Sequence, residues 1–538
     1  MKLMLLNKIK LLYFVAVTSL IVFTSLSGNV GPYSFPSSVQ ALNIASHGKI
    51  SLPFQLPISS YWPDTLLVEK DYPVPSLILA IFYLITNISP DFLPFFPVSG
   101  FMIFLFYYII LLKVLLEGEE SQSLSRKSIS NSLTFLAYLL VIHNLFARTH
   151  AYYVGRATLG VVYFVILVYL LLRLATSNKK NSWIFTTLII LITIAFTYYT
   201  SILAISITLF LLLFTYAIKF SLLQQRTKEV IFSLAIVSLF LVIIQPIVNV
   251  LTFSPSRFID NIISWVLAQL KIERGEAYYL TVGNVPIDLF TRISTVWLNY
   301  SLIMIFILAF IFYFLNELIK KRRLDIQKHA NILAIVTIGA SLAELFYTFH
   351  APTVSLRFIT MLSILYVPLV ITGINKAKVR RTLCYVMSIL LIIFYVGTLN
   401  STLVYGRVND VQYLYGFNKF ISDSVTSYNV VITGDSYYTG YLFFKTSISG
   451  DYARVLFTTL GIRTFDLFDS QDTNTLNSSI KKLIDIHVKY LMIVNDGKPI
   501  TGDPWGYAIT PSPTSINYLI THLNTIYHDG YVYLLNLY

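Results

Sequence analysis

The stretch Lys320-Lys321-Arg322-Arg323 follows one long apolar run, about 296–318, and precedes another, about 330–349. Four consecutive cations between two apolar runs are typical of a cytoplasmic loop between transmembrane helices, because Lys and Arg resist transfer across the bilayer. We therefore expect both flanking runs to cross a membrane, with this loop on the cytoplasmic side.

The other polar gaps between apolar runs extend this pattern, since alternate gaps are rich in cations. One alternating set holds about 21 Lys and Arg against about 6 acids, whereas the other set holds about 9 against about 8. Besides the stretch quoted above, the basic gaps contain Lys2, Lys8, Lys10, Arg126, Lys127, Lys179, Lys180, Arg226, Lys228, Lys376, Lys378, Arg380 and Arg381. The positive-inside rule then predicts an α-helical polytopic membrane protein with about eleven crossings, a cytoplasmic N-terminus and a C-terminus outside.

The composition supports a membrane location and argues against a nucleic-acid partner. Mean hydropathy is +0.70 and 12% of residues are charged, against about 25% in soluble domains. The pI is about 9.4, but the cations lie at helix ends, where anionic lipid accounts for them, so we expect no nucleic-acid partner. The single cysteine, Cys384, excludes a disulfide within the chain and a cysteine-based metal site.

Two apolar segments near the N-terminus need separate interpretation. The run at about 11–26 is expected to be an uncleaved first crossing rather than a signal peptide. The segment 76–88 is too short for a hydrocarbon core that needs about 20 residues, so we expect a helix on the outer surface. The other expected crossings are about 93–116, 132–148, 157–174, 183–200, 202–219, 230–250, 296–318, 330–349, 356–374 and 382–399.

The chain is expected to form two domains. Residues 1–400 form the transmembrane domain, with a long first outer loop, 28–92, and a second outer loop, 251–295. Residues 401–538 are polar enough to form a soluble extracytoplasmic α/β or α+β domain. In it we predict strands at Val430–Thr433 and Val488–Val494, helices at 411–426, 475–486 and 514–524, and a closing hairpin that turns at Asp529-Gly530.

Three acids lie close together in the first outer loop. Asp64, Glu69 and Asp71 fall within eight residues of one another. Carboxylates at the outer mouth of a membrane cavity can act as a general base for an acceptor hydroxyl or bind a divalent cation such as Mg²⁺ or Mn²⁺. The alternative is a solvated loop whose charges keep it outside the membrane.

A second group of polar residues ends the third predicted crossing. Arg148, His150, Tyr153 and Arg156 lie within nine residues at the predicted outer boundary. Two guanidinium groups and a histidine there predict a site for a phosphate or diphosphate, because the arginine fork matches phosphate oxygens. The alternative is that both arginines extend to lipid headgroups.

Glu344 lies well inside a predicted crossing and is followed by His350 and Arg357. An ionisable group within the membrane is costly, so it is a functional candidate by default. The alternative is a neutral acid or a structural partner for an arginine on a neighbouring helix.

Several stretches together resemble the GT-C superfamily of membrane glycosyltransferases that use lipid-phosphate-linked sugars, particularly archaeal and bacterial relatives of protein mannosyltransferases. The likeness lies in Ala41–Lys49, Tyr72–Pro90, His150–Gly160, Ser355–Phe358 with Pro368-Leu369 and Gly373, and the tail from Ile526 to Gly530. The resemblance implies a polyprenyl-phosphate-linked sugar as donor, a glycan or protein as acceptor, and an arginine, here Arg357, that faces the lipid phosphate.

The sequence departs from the family pattern in one respect. GT-C enzymes usually place an acid early in the first outer loop, whereas Gly31–Ser38 contains none. Either Asp64, Glu69 or Asp71 takes over as the catalytic base, or the chain keeps the scaffold without the reaction. The predicted function is therefore glycosyl transfer at the outer face of the cell membrane, with a non-catalytic, lipid-binding scaffold and a secondary transporter as alternatives.

Overall fold

The structure is a computed structural model. The residues it describes are 41–42, 44–46, 48, 74–88, 109–110, 136, 139, 156–176, 180–217, 221–222, 225–248, 293, 308, 324–325, 329–350, 365, 370, 374, 380–405, 416–417, 419–420, 429–433, 455–459, 472–485, 489–494, 500–503, 507–509 and 512–538.

The chain divides into two compact units. The first consists of residues 1–26, 96–258 and 289–402, and the second of residues 27–95, 259–288 and 403–538. Most of both predicted outer loops thus belongs to the same unit as the C-terminal segment.

Long helices make up most of the described part of the first unit, and a shorter helix, α1, belongs to the second unit. The helices are α1 (Val74–Thr86), α2 (Arg156–Thr176), α3 (Lys180–Ala195), α4 (Tyr199–Ala217), α5 (Gln225–Val248), α6 (His329–His350) and α7 (Arg380–Tyr405). Helices are therefore confirmed at the predicted crossings 157–174, 183–200, 202–219, 230–250, 330–349 and 382–399. The other predicted crossings lie outside the described residues apart from isolated positions.

The boundary between α3 and α4 differs from the prediction. The crossing expected at 183–200 ends at Ala195, and a short turn follows. Its amides remain satisfied, because Thr197 N and Tyr198 N donate to Ile194 O at 3.0 and 2.9 Å. Helix α4 can therefore begin at Tyr199 and run back along the bundle.

The contacts between helices fix their relative directions. Ser201, near the start of α4, donates its Oγ to Gly160 O, near the start of α2, at 3.1 Å. These two helices therefore begin at the same end of the bundle. Strand β1 (Ser221–Leu222), which follows α4, pairs in parallel with β2 (Leu324–Asp325), which precedes α6. Helix α4 thus ends where α6 begins.

Two ends of the bundle can now be defined. The Arg156 end is where α2 and α4 begin; α6 finishes there, because it packs antiparallel on α4. The basic end is where α2 and α4 finish and where α3, α5 and α6 begin. Of the predicted cytoplasmic gaps, the described residues Lys180, the first residue of α3, and 226–228, in the first turn of α5, lie at the basic end.

The side chains of the bundle are arranged as in a membrane protein. Large apolar side chains are exposed along several helices, among them Phe185, Ile189, Phe210, Phe214, Phe232, Ile236, Phe240, Tyr385 and Ile389. Small polar ones are buried between the helices, among them Thr187, Ser201, Ser206, Thr208, Ser238, Thr337 and Ser388. Soluble monomers rarely expose large apolar patches, whereas small residues at helix contacts are typical of membrane bundles.

Within the described residues, one stretch is long and apolar enough to cross a membrane, Thr227–Ile244 of α5. Shorter apolar stretches occur at 74–86, 159–174, 183–195, 201–217, 331–343 and 382–394. Helix α1 has 13 residues, which confirms a short helix near the predicted 76–88; its place on the outer surface stays a prediction.

The C-terminal segment forms a mixed sheet with two helices. Its elements are β3 (Asn429–Thr433), β4 (Val455–Thr459), α8 (Thr473–Asp485), β5 (Tyr490–Val494), β6 (Ile500–Asp503), β7 (Tyr507–Ile509), α9 (Pro513–His522), β8 (Asn524–His528) and β9 (Val532–Asn536). The main sheet has the strand order β4-β3-β5-β9-β8, with β3 parallel to β4 and β5 and the other pairs antiparallel. Leu483, Leu491, Leu519 and Leu535 belong to one buried core formed by α8, α9 and this sheet.

The predicted hairpin at the C-terminus is confirmed. Strands β8 and β9 pair antiparallel, and Gly530 has φ +96°, which a side chain would resist. Asp529 Oδ1 accepts the amides of Tyr531 and Val532 at 3.1 and 2.8 Å. Burial, together with the bond that Tyr527 donates to Asp529 Oδ2 at 2.9 Å, raises the pKa of Tyr527 to about 12. Aspartate 529 therefore organises the turn.

Candidate functional site

The predicted site residues are described only in part. The structure gives the backbone positions of Arg156, Glu344 and His350. The other predicted site residues lie outside the described residues: Asp64, Glu69, Asp71, Arg148, His150, Tyr153 and Arg357.

Two of the predicted residues lie at the same end of the bundle. Arg156 is the first residue of α2 and His350 is the last residue of α6, and these helices contact each other. Glu344 precedes His350 by six residues, which is about 9 Å along a helix at about 1.5 Å per residue. The Arg156 end thus combines positions for a guanidinium and an imidazole, with a carboxyl one to two turns deeper.

Close packing holds the start of α2 in place. A Cβ atom added at Gly160 would lie 2.5 Å from the Cβ of Tyr198, a distance that real Cβ atoms do not tolerate. Tyr198 is buried, and the adjacent Ser201 hydroxyl is buried in its bond to Gly160 O. The turn between α3 and α4 therefore packs against the first turns of α2. The contact is made at Gly160, four residues after Arg156.

Helix ends of both signs meet at this end of the bundle. Helices α2 and α4 begin here, whereas α3, α5 and α6 finish here. The N-terminus of a helix carries a partial positive charge and the C-terminus a partial negative one, so the helix ends alone do not favour an anion. Arg156 occupies the first position of α2.

Sequence reasoning missed Gly160, Tyr198 and Ser201, which build this end. Gly160 and Ser201 are 41 positions apart, and nothing local signals their contact. The available signal is a small residue inside an otherwise bulky apolar run, since small residues allow helices in membranes to approach closely.

The metal-binding prediction rests on residues outside the described part. Among described residues, no group of three or more His, Cys, Asp and Glu is placed to hold a metal ion. Asp64, Glu69 and Asp71, the predicted ligands, lie outside that part.

Comparison with known proteins gives matches among solved structures. No family model and no curated protein matches this sequence. The crystal structure of the Archaeoglobus fulgidus oligosaccharyltransferase in complex with Zn and sulfate superposes with a TM-score of 0.50 at 10% identity, covering 89% of this chain and 68% of that one. This superposition supports the fold.

Two further structures superpose less well. ArnT from Cupriavidus metallidurans bound to undecaprenyl phosphate gives a TM-score of 0.48 at 10% identity, over 98% of this chain and 97% of that one. AglB from Archaeoglobus fulgidus, in complex with an inhibitory peptide and dolichol-phosphate, gives 0.41 at 9% identity, over 89% and 69%.

This chain shares its fold with the oligosaccharyltransferase solved with Zn and sulfate, so the predicted resemblance is confirmed at the level of the fold. The described part of this chain is mostly helical, as the prediction of an α-helical protein requires. The number of crossings and their orientation stay predictions.

Proposed function

We propose that this chain is a membrane glycosyltransferase that takes its sugar from a polyprenyl-phosphate-linked donor on the extracytoplasmic side. The observation that carries the proposal is the fold shared with an oligosaccharyltransferase over 89% of the chain. The meeting of Arg156 and His350 positions at one end of the bundle supports it, because a lipid-linked donor needs a cationic site next to an apolar one.

The donor phosphate would bind at the Arg156 end. Arg156 and Arg357 would contact its oxygens through their guanidinium forks, while Arg148, His150 and Tyr153 line the approach. Glu344 and His350 would hold the arginines in position. Cationic groups fixed in a dry pocket stabilise the negative charge that grows on the departing phosphate, an effect of a few kcal/mol on the barrier.

The acceptor would react through a hydroxyl group. A carboxylate among Asp64, Glu69 and Asp71 would take the hydroxyl proton as the new bond forms to the anomeric carbon. The bond from that carbon to the phosphate oxygen breaks, and polyprenyl phosphate leaves with the electron pair. The C-terminal domain would shape the acceptor site for a glycan or a protein.

A divalent cation is part of the proposal. Asp64, Glu69 and Asp71 offer the carboxylate oxygens that Mg²⁺ and Mn²⁺ prefer. A bound cation would supply additional positive charge near the phosphate. The similar oligosaccharyltransferase was solved with Zn and sulfate, a divalent cation and a tetrahedral anion.

Substitution of the phosphate-binding arginine tests the proposal. We expect Arg357→Ala to reduce sugar transfer by at least about a hundredfold, because a few kcal/mol of phosphate stabilisation is lost. Transfer is measured with purified protein in lipid and a radiolabelled polyprenyl-phosphate sugar.

The matched control is Lys482→Ala, which removes an exposed cation from α8. It should transfer sugar like the original protein, and both variants should insert into membranes equally well. Normal transfer by Arg357→Ala would contradict the proposal.

A second candidate is a non-catalytic scaffold that binds lipid. The absence of any acid in Gly31–Ser38 favours it. Extraction of co-purifying lipid, followed by a sugar-release assay with and without Asp64→Asn, separates the two. Bound lipid without release in either protein would favour the scaffold.

A further inference from the structure

Helix α3 has a shorter apolar stretch than its neighbour α5. The stretch in α3 is Trp183–Ala195, whereas that in α5 is Thr227–Ile244. At about 1.5 Å per residue, these stretches are about 20 Å and about 27 Å long. Both helices begin at the basic end and they contact each other. Helix α3 therefore finishes at least one turn before α5 does.

The exposed side chains show which side of α3 faces outward from the bundle. The exposed apolar residues of α3 and of the turn after it are Phe185, Ile189, Ile192 and Phe196. They recur at spacings of four and three, so they lie on one side of the helix. Ile194, between the last two, is buried. The outward side of α3 is thus apolar along its length up to the turn.

The turn after α3 marks a polar limit of this surface. Phe196 begins the turn and is 47% exposed, so protein does not cover this side. Thr197 N and Tyr198 N both donate to Ile194 O, which shows that the helix has ended. Carbonyl groups at a helix end lose their helical partners, and irregular backbone does not face lipid in the hydrocarbon core. The turn therefore belongs at the level of headgroups and water.

Trp183 marks the other limit of the same surface. The Arg173 guanidinium carbon lies 5.6 Å from the centre of its ring, and tryptophan is enriched at the headgroup level. The apolar length between the two limits is about 20 Å, against about 30 Å for an average hydrocarbon core. A backbone turn cannot extend towards the headgroups as a long side chain does. The lipid beside α3 must therefore adjust to the helix.

We propose that the bundle thins the bilayer beside α3, so that headgroups descend to the turn at Phe196 while the core keeps its ordinary thickness beside α5. The partner of this surface is phospholipid whose acyl chains are short or disordered. The turn packs against Gly160, so the lowered headgroups lie close to the Arg156 end. The proposal does not depend on glycosyl transfer or on which end of the bundle faces outside.

Spin-label depth measurements on the full-length protein in phosphatidylcholine bilayers test this proposal. Phe196→Cys and Phe240→Cys form a matched pair, because both phenylalanines are exposed and lie the same number of residues after Trp183 and Thr227. In bilayers with chains of about 18 carbons, we expect the label at position 196 to lie about 6 Å nearer to the headgroups than the label at position 240. Cys384 is 1% exposed, so the original protein gives an unreactive background.

Acyl-chain length supplies a second readout. When the chains lengthen from about 14 to about 22 carbons, the label at position 240 should move deeper, while the label at position 196 stays at headgroup level. Equal depths of the two labels, or equal deepening of both in thicker bilayers, would overturn the proposal. If Phe196→Cys does not fold, Ile192→Cys and Ile236→Cys give the same decision, because they are exposed and lie four residues before the first pair.

Discussion

At Gly339, α6 packs directly against the backbone of α4. A Cβ atom added there would lie 2.9 Å from the Thr208 Cα and 3.0 Å from its amide nitrogen. Thr208 keeps its own hydroxyl satisfied by donating to Ala204 O at 2.8 Å. In lipid there is little hydrophobic force between helices, so close packing of this kind holds them together.

Enlarging Gly339 should therefore loosen the bundle. We expect Gly339→Val to lower the free energy of unfolding by about 1–3 kcal/mol, because α4 and α6 must separate. Thermal unfolding of the full chain in detergent measures the change. Leu342→Val, at a position 43% exposed on the same helix, should have a much smaller effect, and equal losses would contradict the packing argument.

Asp472 caps the first turn of α8. Its Oδ2 accepts from the Thr475 hydroxyl at 2.9 Å and the Thr475 amide at 3.2 Å, and its Oδ1 accepts from the Asn474 amide at 3.2 Å. The bond from the Thr475 hydroxyl, followed by the two amide bonds, lowers the pKa of Asp472 below its ordinary value. The ionised form is therefore the one that the fold stabilises.

This cap predicts that the C-terminal unit loses stability in acid. Because the pKa is lower in the folded state, the stabilisation is present above the ordinary aspartate pKa of about 4 and is lost as pH falls through the folded value. We expect Asp472→Asn to make the melting temperature of the C-terminal unit less dependent on pH between about 5 and 2. A melting temperature of Asp472→Asn with the same pH dependence as that of the original protein would refute the role of the cap.

Helix α5 presents an apolar surface outward along most of its length. Phe232, Ile236, Phe240 and Ile243 are all exposed, and no charged residue interrupts 230–248. In water such a surface would cause association, whereas the hydrocarbon core of a bilayer stabilises it. We therefore expect the exposed side chains of this helix to contact lipid.

A charged side chain on this surface of α5 should oppose membrane insertion, even though the positions are exposed. We expect Ile236→Lys, at a position 51% exposed, to oppose membrane insertion by about 2.5–3.5 kcal/mol. The yield of folded protein extracted from membranes measures it. Ile526→Lys, 42% exposed on β8, is the control and should be tolerated, and equal tolerance at Ile236 would mean that α5 does not face lipid.

The bounds of α2 could be predicted because charges interrupt the apolar runs, whereas α3 ends five residues before the predicted bound and α7 ends six residues after it. Arg156 and Thr176 bound α2 within two residues of the predicted 157–174. The helix contacts could not be predicted, because these runs are apolar on every side and periodicity does not distinguish the packed face. The pairing of Ser221 with Leu324 is likewise too short to leave a pattern. The hairpin at Asp529-Gly530 was predictable because its turn chemistry is local.

The candidate site was predictable in its residue types but not in its assembly. Arg156 and His350 stand out in sequence as polar residues at the edges of apolar runs. That they lie at one end of the bundle follows only from the Ser201–Gly160 bond and the pairing of β1 with β2, which join distant positions. The contributions of Asp64, Glu69, Asp71 and Arg357 stay predictions.

The sequence predicts an orientation of the chain across the membrane. By the positive-inside rule we expect the basic gaps in the cytoplasm and residues 401–538 outside, and the proposed function needs the Arg156 end to face outside as well. Glycosyl transfer from a polyprenyl-phosphate donor at the Arg156 end requires this orientation. The orientation is therefore the claim on which the proposed function depends.

Cysteine labelling in intact cells tests this orientation directly. Cys384, the single cysteine, is 1% exposed, so the original protein provides an unreactive background. A membrane-impermeant maleimide should label Asn474→Cys, at an exposed position of α8, in intact cells. It should label Lys321→Cys only after the membrane is permeabilised, and labelling of Lys321→Cys but not Asn474→Cys in intact cells would contradict the account.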